Sequence, residues 1–362
     1  MITFDTFFKG SEVVERSAPG RVNLLGEHTD YNDGFVLPIA TPMRTHVAIA
    51  ASRDDAFHFY SETLLDQVVL GRRGHLASGY GRYIEGCIRV LEHRGYDIPP
   101  LRIYVRSDLP CAAGLSSSAA LEVATLRALR SFLGLPLTDI EVAHIGQVAE
   151  RTYAGVQCGI MDQMAASLCD DTHMLFLDTR SLSSEISSLP AGTELLVLDS
   201  GVARSPGASK YNERRAECGT AALALGVRSL RDVACPTHLS RIEEPYRRRA
   251  RHVMRENARV VRAAKGVSAS DFGALMDASH ASLRDDYDVS TVELDLLCDL
   301  LRAQPGVHGA RLTGPGFGGA CVALCDAGSA ADVGQAVVAS YSREGRMGRV
   351  LVPATPGSGG RQ

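Results

Sequence analysis

The most constraining stretch of the chain is residues 18–38, where a turn and a short apolar run lead into polar side chains. Pro19 and Gly20 form a turn signal before the apolar run at 22–25. Gly26 ends that run, and a cluster of hydrogen-bonding side chains follows at once, formed by Glu27, His28 and Asp30. A buried strand that delivers such groups together predicts a site for a small, hydroxyl-rich molecule. Taken by itself, the cluster is also typical of a surface turn with solvated charges.

Composition narrows the class of protein. Of 362 residues, 45% are hydrophobic and 22% charged, which is typical of a globular enzyme with room for two domains. The formal net charge is −4, so we expect no nucleic-acid partner. No apolar run approaches the roughly 20 residues of a membrane helix, so we expect no membrane partner. Nine cysteines without a CxxC pair, and no signal-peptide pattern, predict a cytoplasmic location.

The elements alternate along the chain. Apolar or alternating runs predict strands at 45–51, 101–105, 174–177 and 195–198. Helical periodicity predicts helices over 211–225, 245–265 and 272–283. The capping-box spacing of Thr138 and Glu141 predicts the start of a helix that carries Glu150 and ends near residue 154. The polar, serine-rich stretch 181–190 suggests a boundary between domains at 1–185 and 186–362. We expect the last ten residues to form a frayed tail.

A basic cluster at 247–252 has two interpretations. It is either a phosphate-binding patch or the solvated face of a helix, and the apolar residues on the other side of that helix favour the solvated face.

Two glycine-rich or serine-rich segments are candidates for binding phosphate. Residues 110–120 are small and lead into a helix that is apolar nearly all round, which predicts a buried helix whose N-terminal amides face an anion. The segment lacks the ending of a Walker loop. Residues 313–319 hold four glycines between two predicted strands, where Pro315 favours a turn with Gly316 at positive φ. Each segment alone also fits a structural cap or a hairpin.

One further short motif, residues 158–163, places Asp162 among small and apolar residues. A lone aspartate in such a place is usually a helix cap. All four segments together, however, are similar to the motifs of the galactokinase family within the GHMP kinases. The galactokinase signature matches 18–38 almost residue for residue, and the likeness covers nearly the whole chain. One departure is Pro315, where these kinases generally have glycine.

The resemblance implies roles for particular residues. Asp162 is implied as the catalytic aspartate, with Arg21 close to it. Glu150 and Ser118 are implied as ligands of Mg²⁺ bridging the ATP phosphates. The residues implied to bind the sugar are Glu27, His28, Asp30, Gly159 and Tyr211. The residues implied to bind ATP are Gly114, Leu115, Ser116, Ser117, Ser118 and Ala119, together with Tyr80, which stands where many galactokinases have an adenine-binding tryptophan.

The resemblance also implies a fold and a reaction. We expect an α+β, two-domain GHMP kinase fold, with mixed sheets, helices packed on them and the active site between the domains. The implied reaction is ATP-dependent phosphorylation of galactose at C1 by a monomer. Alternatives are an anomeric kinase for arabinose or GalNAc, and a non-catalytic galactose and ATP sensor. The intact Ser118-Ala119 pair favours the enzyme over the sensor. Homoserine and mevalonate kinases fit less well, since they lack the Glu-His-Thr-Asp cluster.

Overall fold

A computed structural model describes residues 2–110, 113–202 and 208–353, and the expected tail lies largely outside this part of the chain. The chain forms two compact units that alternate along the sequence. The first unit comprises Met1–Gly20, Met43–Pro110 and Ser116–Leu168, and the second comprises Arg21–Pro42, Cys111–Leu115 and Cys169–Gln362. The domain boundary expected at 185/186 stays a prediction.

The described elements are helices and strands in mixed order along the chain. The strands are β1 (Val14–Asn23), β2 (Phe35–Val36), β3 (Pro38–Ala51), β4 (Ala56–Ser61), β5 (Asp66–Gly71), β6 (Leu101–Ser107), β7 (His173–Asp178), β8 (Ser184–Ser188), β9 (Thr193–Asp199), β10 (Val307–Thr313), β11 (Ala320–Asp326) and β12 (Arg349–Val352). The helices are α1 (Phe4–Phe8), α2 (Gly81–His93), α3 (Ser117–Leu133), α4 (Asp139–Ala149), α5 (Met161–Leu168), α6 (Ala208–Leu225), α7 (Tyr246–Ala264), α8 (Ala269–Asp285), α9 (Val292–Arg302) and α10 (Ala330–Arg343). The strands and helices predicted above are confirmed within these bounds.

The first unit is built on a five-stranded sheet of order β1-β3-β6-β4-β5. The β3 strand pairs antiparallel with β6, which pairs parallel with β4. Side chains along β3 alternate between two cores, as the period of a strand requires. Val47 and Ile49 pack with α2, α3 and α4, while Ala48 and Ala50 pack with the aromatic side chains of α1 on the other face. The apolar helix α3 is buried in the first of these cores, as its sequence predicts.

Helix α4 begins at the predicted capping box, where the Thr138 hydroxyl accepts from the amide of Glu141. Its last residue is Ala149, and the chain then widens into one π-helical turn over Glu150–Ala154. The helical stretch therefore extends to residue 154 as predicted, but Glu150 lies in the π turn that follows the α-helix. Such π turns recur at functional sites because they re-aim a side chain.

The second unit contains a four-stranded antiparallel sheet of order β10-β11-β9-β12, and a three-stranded sheet of order β2-β7-β8. In β11, residues 320–325 are all buried, and Cys321 and Cys325 are core residues. Helices α6 to α10 add further residues to this core. No helix in the described part of the chain combines the length and apolar character needed to cross a membrane.

The prediction that the basic cluster at 247–252 forms a solvated helix face is wrong in part. Arg249 is buried and donates to the Glu217 carboxylate at 2.7 Å and to the Asp286 carbonyl at 2.8 Å. His252 is fully buried as well. These polar side chains are buried because α6 and the end of α8 supply their partners, which are distant in sequence. Arg247 and Arg248, by contrast, stay substantially solvent-accessible.

Candidate functional site

The polar cluster after β1 lies in the second unit and begins at a position that only glycine fits. Gly26 has φ +100°, and a Cβ there would lie 2.5 Å from the Phe35 carbonyl oxygen. Its amide donates to Glu256 Oε1 at 2.8 Å. The close approach of β2 therefore fixes the backbone from which Glu27 and His28 project.

Glu27 connects this cluster to the 313–319 loop. Its Oε1 accepts from the amide of Gly314 at 2.6 Å and from the hydroxyl of Thr313 at 3.3 Å. The guanidinium of Arg311 lies 3.5 Å away. Burial raises the pKa of Glu27, while the charges of Arg311 and Arg21 oppose that shift. The first and third motifs of the sequence are thus joined through one buried carboxylate.

His28 is buried, and both of its ring nitrogens have partners within the second unit. Burial and the neighbouring His252 lower its pKa to about 3, so the ring is neutral. Nε2 lies 3.2 Å from the Pro315 carbonyl oxygen, which only accepts, so Nε2 carries the proton. Nδ1 then accepts from the hydroxyl of Tyr31 at 2.8 Å. Pro315, the departure from the family pattern, therefore serves here as an acceptor for His28.

Three further predicted residues lie in the same unit, and one of them, Tyr211, packs near the His28 ring. Tyr211 lies near the start of α6, with its ring centroid 5.7 Å from that of His28 and 5.4 Å from that of Tyr31. Asp30 is partly exposed, and its carboxylate accepts from the amide of Tyr31 at 3.0 Å. In the 313–319 loop, which joins β10 to β11 as predicted, Gly316 has the expected positive φ of 77°. The second unit thus holds four of the five predicted sugar residues, and Gly159 belongs to the first unit.

Arg21 is also buried in the second unit, at 2% exposure. Its guanidinium donates to the Gly114 carbonyl at 2.7 Å, and its amide donates to the Leu115 carbonyl at 3.1 Å. Arg21 therefore holds the loop that leads into the serine run.

Within the first unit, α3 begins directly after Ser116, which has a positive φ of 59°. In this 17-residue helix the first backbone hydrogen bond runs from the Ala120 amide to the Ser116 carbonyl, so the amides of Ser117, Ser118 and Ala119 precede the intrahelical ladder. The Ser116 hydroxyl donates to Asp162 Oδ2 at 2.7 Å. Asp162 itself lies in the first turn of α5, and Gly159 is buried just before that helix. A carboxylate thus lies beside the N-terminus of a helix suited to binding an anion.

Glu150, in the π-helical turn, is predicted to bind metal with Ser118. Burial and the charge of Asp162 raise the pKa of Glu150, while hydrogen bonds from Ser118, Cys158 and Gln163 oppose that shift. No cluster of three His, Cys, Asp or Glu side chains among the described residues is arranged to hold a metal by itself. One carboxylate with a hydroxyl nevertheless fits Mg²⁺, which takes one or two carboxylates and completes its shell with phosphate oxygens and water.

Tyr80 stands at the start of α2, where its ring packs against the first unit's core. Its hydroxyl donates to the Asp66 carbonyl at 3.1 Å, and burial raises its pKa. A role for Tyr80 in binding adenine stays a prediction.

The sequence motifs did not predict four buried polar residues next to these groups, namely Glu122, Gln163, Glu256 and Arg311. Gln163 directly follows Asp162 in a motif that was singled out. Glu122 is the acidic residue within the otherwise apolar start of α3, a signal that marks a buried charge with a partner.

Three family models match the chain: "GHMP kinases N terminal domain" over residues 82–170, "GHMP kinases C terminal" over 262–343, and "Galactokinase galactose-binding signature" over 2–51. A galactokinase of Thermotoga petrophila is 41% identical over 330 residues, which cover 90% of this chain and 93% of that protein. The chain belongs to the galactokinase family.

Two further galactokinases agree with this assignment. One from Roseiflexus sp. is 43% identical over 330 residues, covering 86% of this chain and 83% of that protein. The crystal structure of Lactococcus lactis galactokinase complexed with galactose matches with a TM-score of 0.91 at 32% identity, covering 96% of this chain and 95% of that one. The predicted GHMP kinase fold is thereby confirmed, and the galactokinase-family chain is a phosphotransferase that acts on a sugar hydroxyl.

Proposed function

We propose that this protein transfers the γ-phosphoryl group of ATP to the C1 hydroxyl of galactose, giving galactose 1-phosphate. The observation that carries the proposal is the 2.7 Å hydrogen bond from Ser116 to Asp162. It sets the Asp162 carboxylate, which we propose accepts the hydroxyl proton, beside the N-terminal amides of α3, and amides in such a position are suited to bind phosphate. The match of residues 2–51 to a galactose-binding signature supports galactose as the acceptor.

The chemistry asks mainly for positioning and neutralisation of charge, because phosphoryl transfer passes through a loose transition state. In this proposal, Asp162 orients the C1 hydroxyl and accepts its proton as the oxygen attacks phosphorus. The amides of Ser117, Ser118 and Ala119 bind phosphate oxygens, with Gly114, Leu115 and Ser116 completing the loop. Arg21 stabilises the negative charge that develops on the transferred group.

We propose that Glu150 and Ser118 hold Mg²⁺. When bound, the ion neutralises phosphate charge and orients the ATP phosphates. The positive charge of a bound ion favours the ionised form of Glu150, whose pKa burial raises in its absence. Tyr80 offers an aromatic face for adenine.

The proposed sugar ligands are Glu27, His28, Asp30, Gly159 and Tyr211. Ionised carboxylates accept hydrogen bonds from sugar hydroxyls with a directionality that distinguishes epimers. Since both ring nitrogens of His28 already have protein partners, we propose that a sugar hydroxyl replaces one of them on binding. We place the protein in the cytoplasm as a monomer, with the domain boundary at 185/186 and no nucleic-acid or membrane partner.

The test is ATP consumption with galactose, arabinose, GalNAc, glucose and fucose in turn, with binding of each sugar measured in parallel. The proposal predicts the highest kcat/KM with galactose. A higher value with arabinose or GalNAc would identify a related anomeric kinase instead. Binding of galactose without turnover of any sugar would identify a sensor on the same fold.

A further inference from the structure

Glu122 is an acidic residue in a place where burial and the neighbouring Glu150 raise its pKa and so disfavour its ionised form. It lies in α3 one helical turn after Ser118, so both side chains share a face of the helix. It is fully buried, and its Oε1 has no hydrogen-bond partner among the described residues. Packing alone gives no reason for a carboxylate here, because an apolar side chain of similar size fills such a place at lower cost.

The partner of Glu122 is the amide of Gln163, and that amide is shared. Gln163 Nε2 donates to Glu122 Oε2 at 3.0 Å and to Glu150 Oε2 at 2.7 Å. A primary amide carries two N–H groups, so both are used. The two carboxylates therefore lie on either side of one nitrogen, which ties α3 to the π-helical turn that carries Glu150.

Packing leaves the bridging amide little freedom. Gln163 is fully buried. A Cβ at Gly146 would lie 3.2 Å from its Cγ and 3.4 Å from the Cβ of Glu122, so α4 presses closely on both side chains. With one N–H held by Glu122, the other N–H lies closest to Glu150 at 2.7 Å, and Cys158 Sγ is farther away at 4.0 Å.

We propose that Glu122 is a positioning residue for the metal–nucleotide complex, because it orients the amide of Gln163, which in turn orients the Glu150 carboxylate toward Ser118. This inference rests on the proposed function, in which Glu150 and Ser118 hold the ion. Residues that orient a metal ligand through a hydrogen bond typically change metal affinity about 10- to 100-fold when they are removed.

The test compares Glu122→Met with Glu122→Gln in the full-length protein. Gln keeps an acceptor oxygen for Gln163, whereas Met fills a similar volume and offers none. Binding of Mn²⁺ in the presence of ADP, followed by electron paramagnetic resonance, reports affinity without turnover. We expect Glu122→Met to weaken Mn²⁺ binding at least about tenfold and Glu122→Gln to restore most of it. The metal concentration for half-maximal activity should rise in parallel, with a smaller change in kcat at saturating metal.

Gln163→Met provides a second route to the same result should Glu122→Met fold poorly. It should weaken Mn²⁺ binding similarly, and the double variant should add little, since the two residues act in series. Thermal unfolding without metal or nucleotide distinguishes a packing defect from a loss of metal affinity alone, because a packing defect lowers Tm even in the absence of ligand. Wild-type Mn²⁺ affinity in a folded Glu122→Met or Gln163→Met protein would overturn the inference.

Glu150→Ala separates the inference from the proposed function. If Glu150→Ala weakens Mn²⁺ binding and Glu122→Met does not, the inference fails while the metal assignment stands. If Glu150→Ala leaves the affinity unchanged, the metal assignment fails and the inference falls with it. If the Mn²⁺ results are as expected but the protein does not turn over galactose, the proposed reaction is refuted and the positioning role of Glu122 stands.

Discussion

Acid should destabilise this protein through the buried imidazole of His252. His252 Nε2 lies 3.1 Å from the Glu27 carbonyl oxygen and therefore carries the proton, while Nδ1 accepts from the Ser282 hydroxyl at 2.9 Å. Burial lowers its pKa from the usual 6.5 to about 4, although the charge of Glu256 opposes that shift. The folded protein thus keeps this ring neutral at a pH where the unfolded chain protonates it.

The magnitude follows from the difference between the two pKa values. Below the unfolded-state pKa the unfolded chain binds more protons, so the free energy of unfolding falls as the pH drops. Each pH unit costs about 1.4 kcal/mol, so acidification from neutral pH to about pH 5 costs about 2 kcal/mol through this side chain. The loss stops growing near the folded-state pKa of about 4.

The assay is urea unfolding of the wild type and His252→Gln at several values between about pH 5 and pH 7.5. Gln donates to the Glu27 carbonyl and accepts from Ser282 but does not titrate, so the free energy of unfolding should fall by about 2 kcal/mol less in the variant than in the wild type. Ser282→Ala is the matched control, because it removes the hydrogen bond and leaves the titrating ring. It should lower stability with a pH dependence parallel to that of the wild type. If the pH dependence of His252→Gln also parallels that of the wild type, His252 is not a neutral buried group in the folded protein.

Two further substitutions test the second unit, with urea unfolding as the measurement. Gly26→Ala should destabilise by about 3 kcal/mol or more, because positive φ and the Phe35 carbonyl both oppose a Cβ. Gly95 has φ +89° and no atom within 4 Å of an added Cβ, so Gly95→Ala should show only the cost of the backbone conformation. Equal losses of stability in Gly26→Ala and Gly95→Ala would rule out the clash with the Phe35 carbonyl. Arg311→Met should cost about 3–5 kcal/mol, because it leaves the buried carboxylates of Glu27 and Glu256 without their shared cation. A loss below about 1 kcal/mol would mean that the pairing carries little energy.

Sequence patterns predicted the structure correctly where the stabilising interactions join residues that are close in sequence. The capping box of Thr138 and Glu141 set the start of α4, because both hydrogen bonds lie within four residues. The alternation along β3 and the apolar character of α3 likewise predicted burial correctly. The glycine-rich loop predicted the positive φ of Gly316, since the preceding proline restricts the turn.

Long-range partners were not predictable from those patterns. Glu122 is buried because Gln163, 41 residues away in sequence, provides an amide. Arg249 lies in a basic run that is typical of a solvated face, yet Glu217 on α6 neutralises it. His28 was predicted as a sugar ligand, but its ring nitrogens already have hydrogen-bond partners in the protein, the Pro315 carbonyl and the Tyr31 hydroxyl.

The most direct measurement of the central claim is turnover and galactose binding by Asp162→Ala. Removal of the proton acceptor should lower galactose-dependent formation of ADP at least about 100-fold. Galactose binding, measured by calorimetry, should survive, because the other proposed sugar ligands remain. Near-wild-type turnover in the folded variant would contradict the assignment of Asp162 as the residue that activates the sugar hydroxyl.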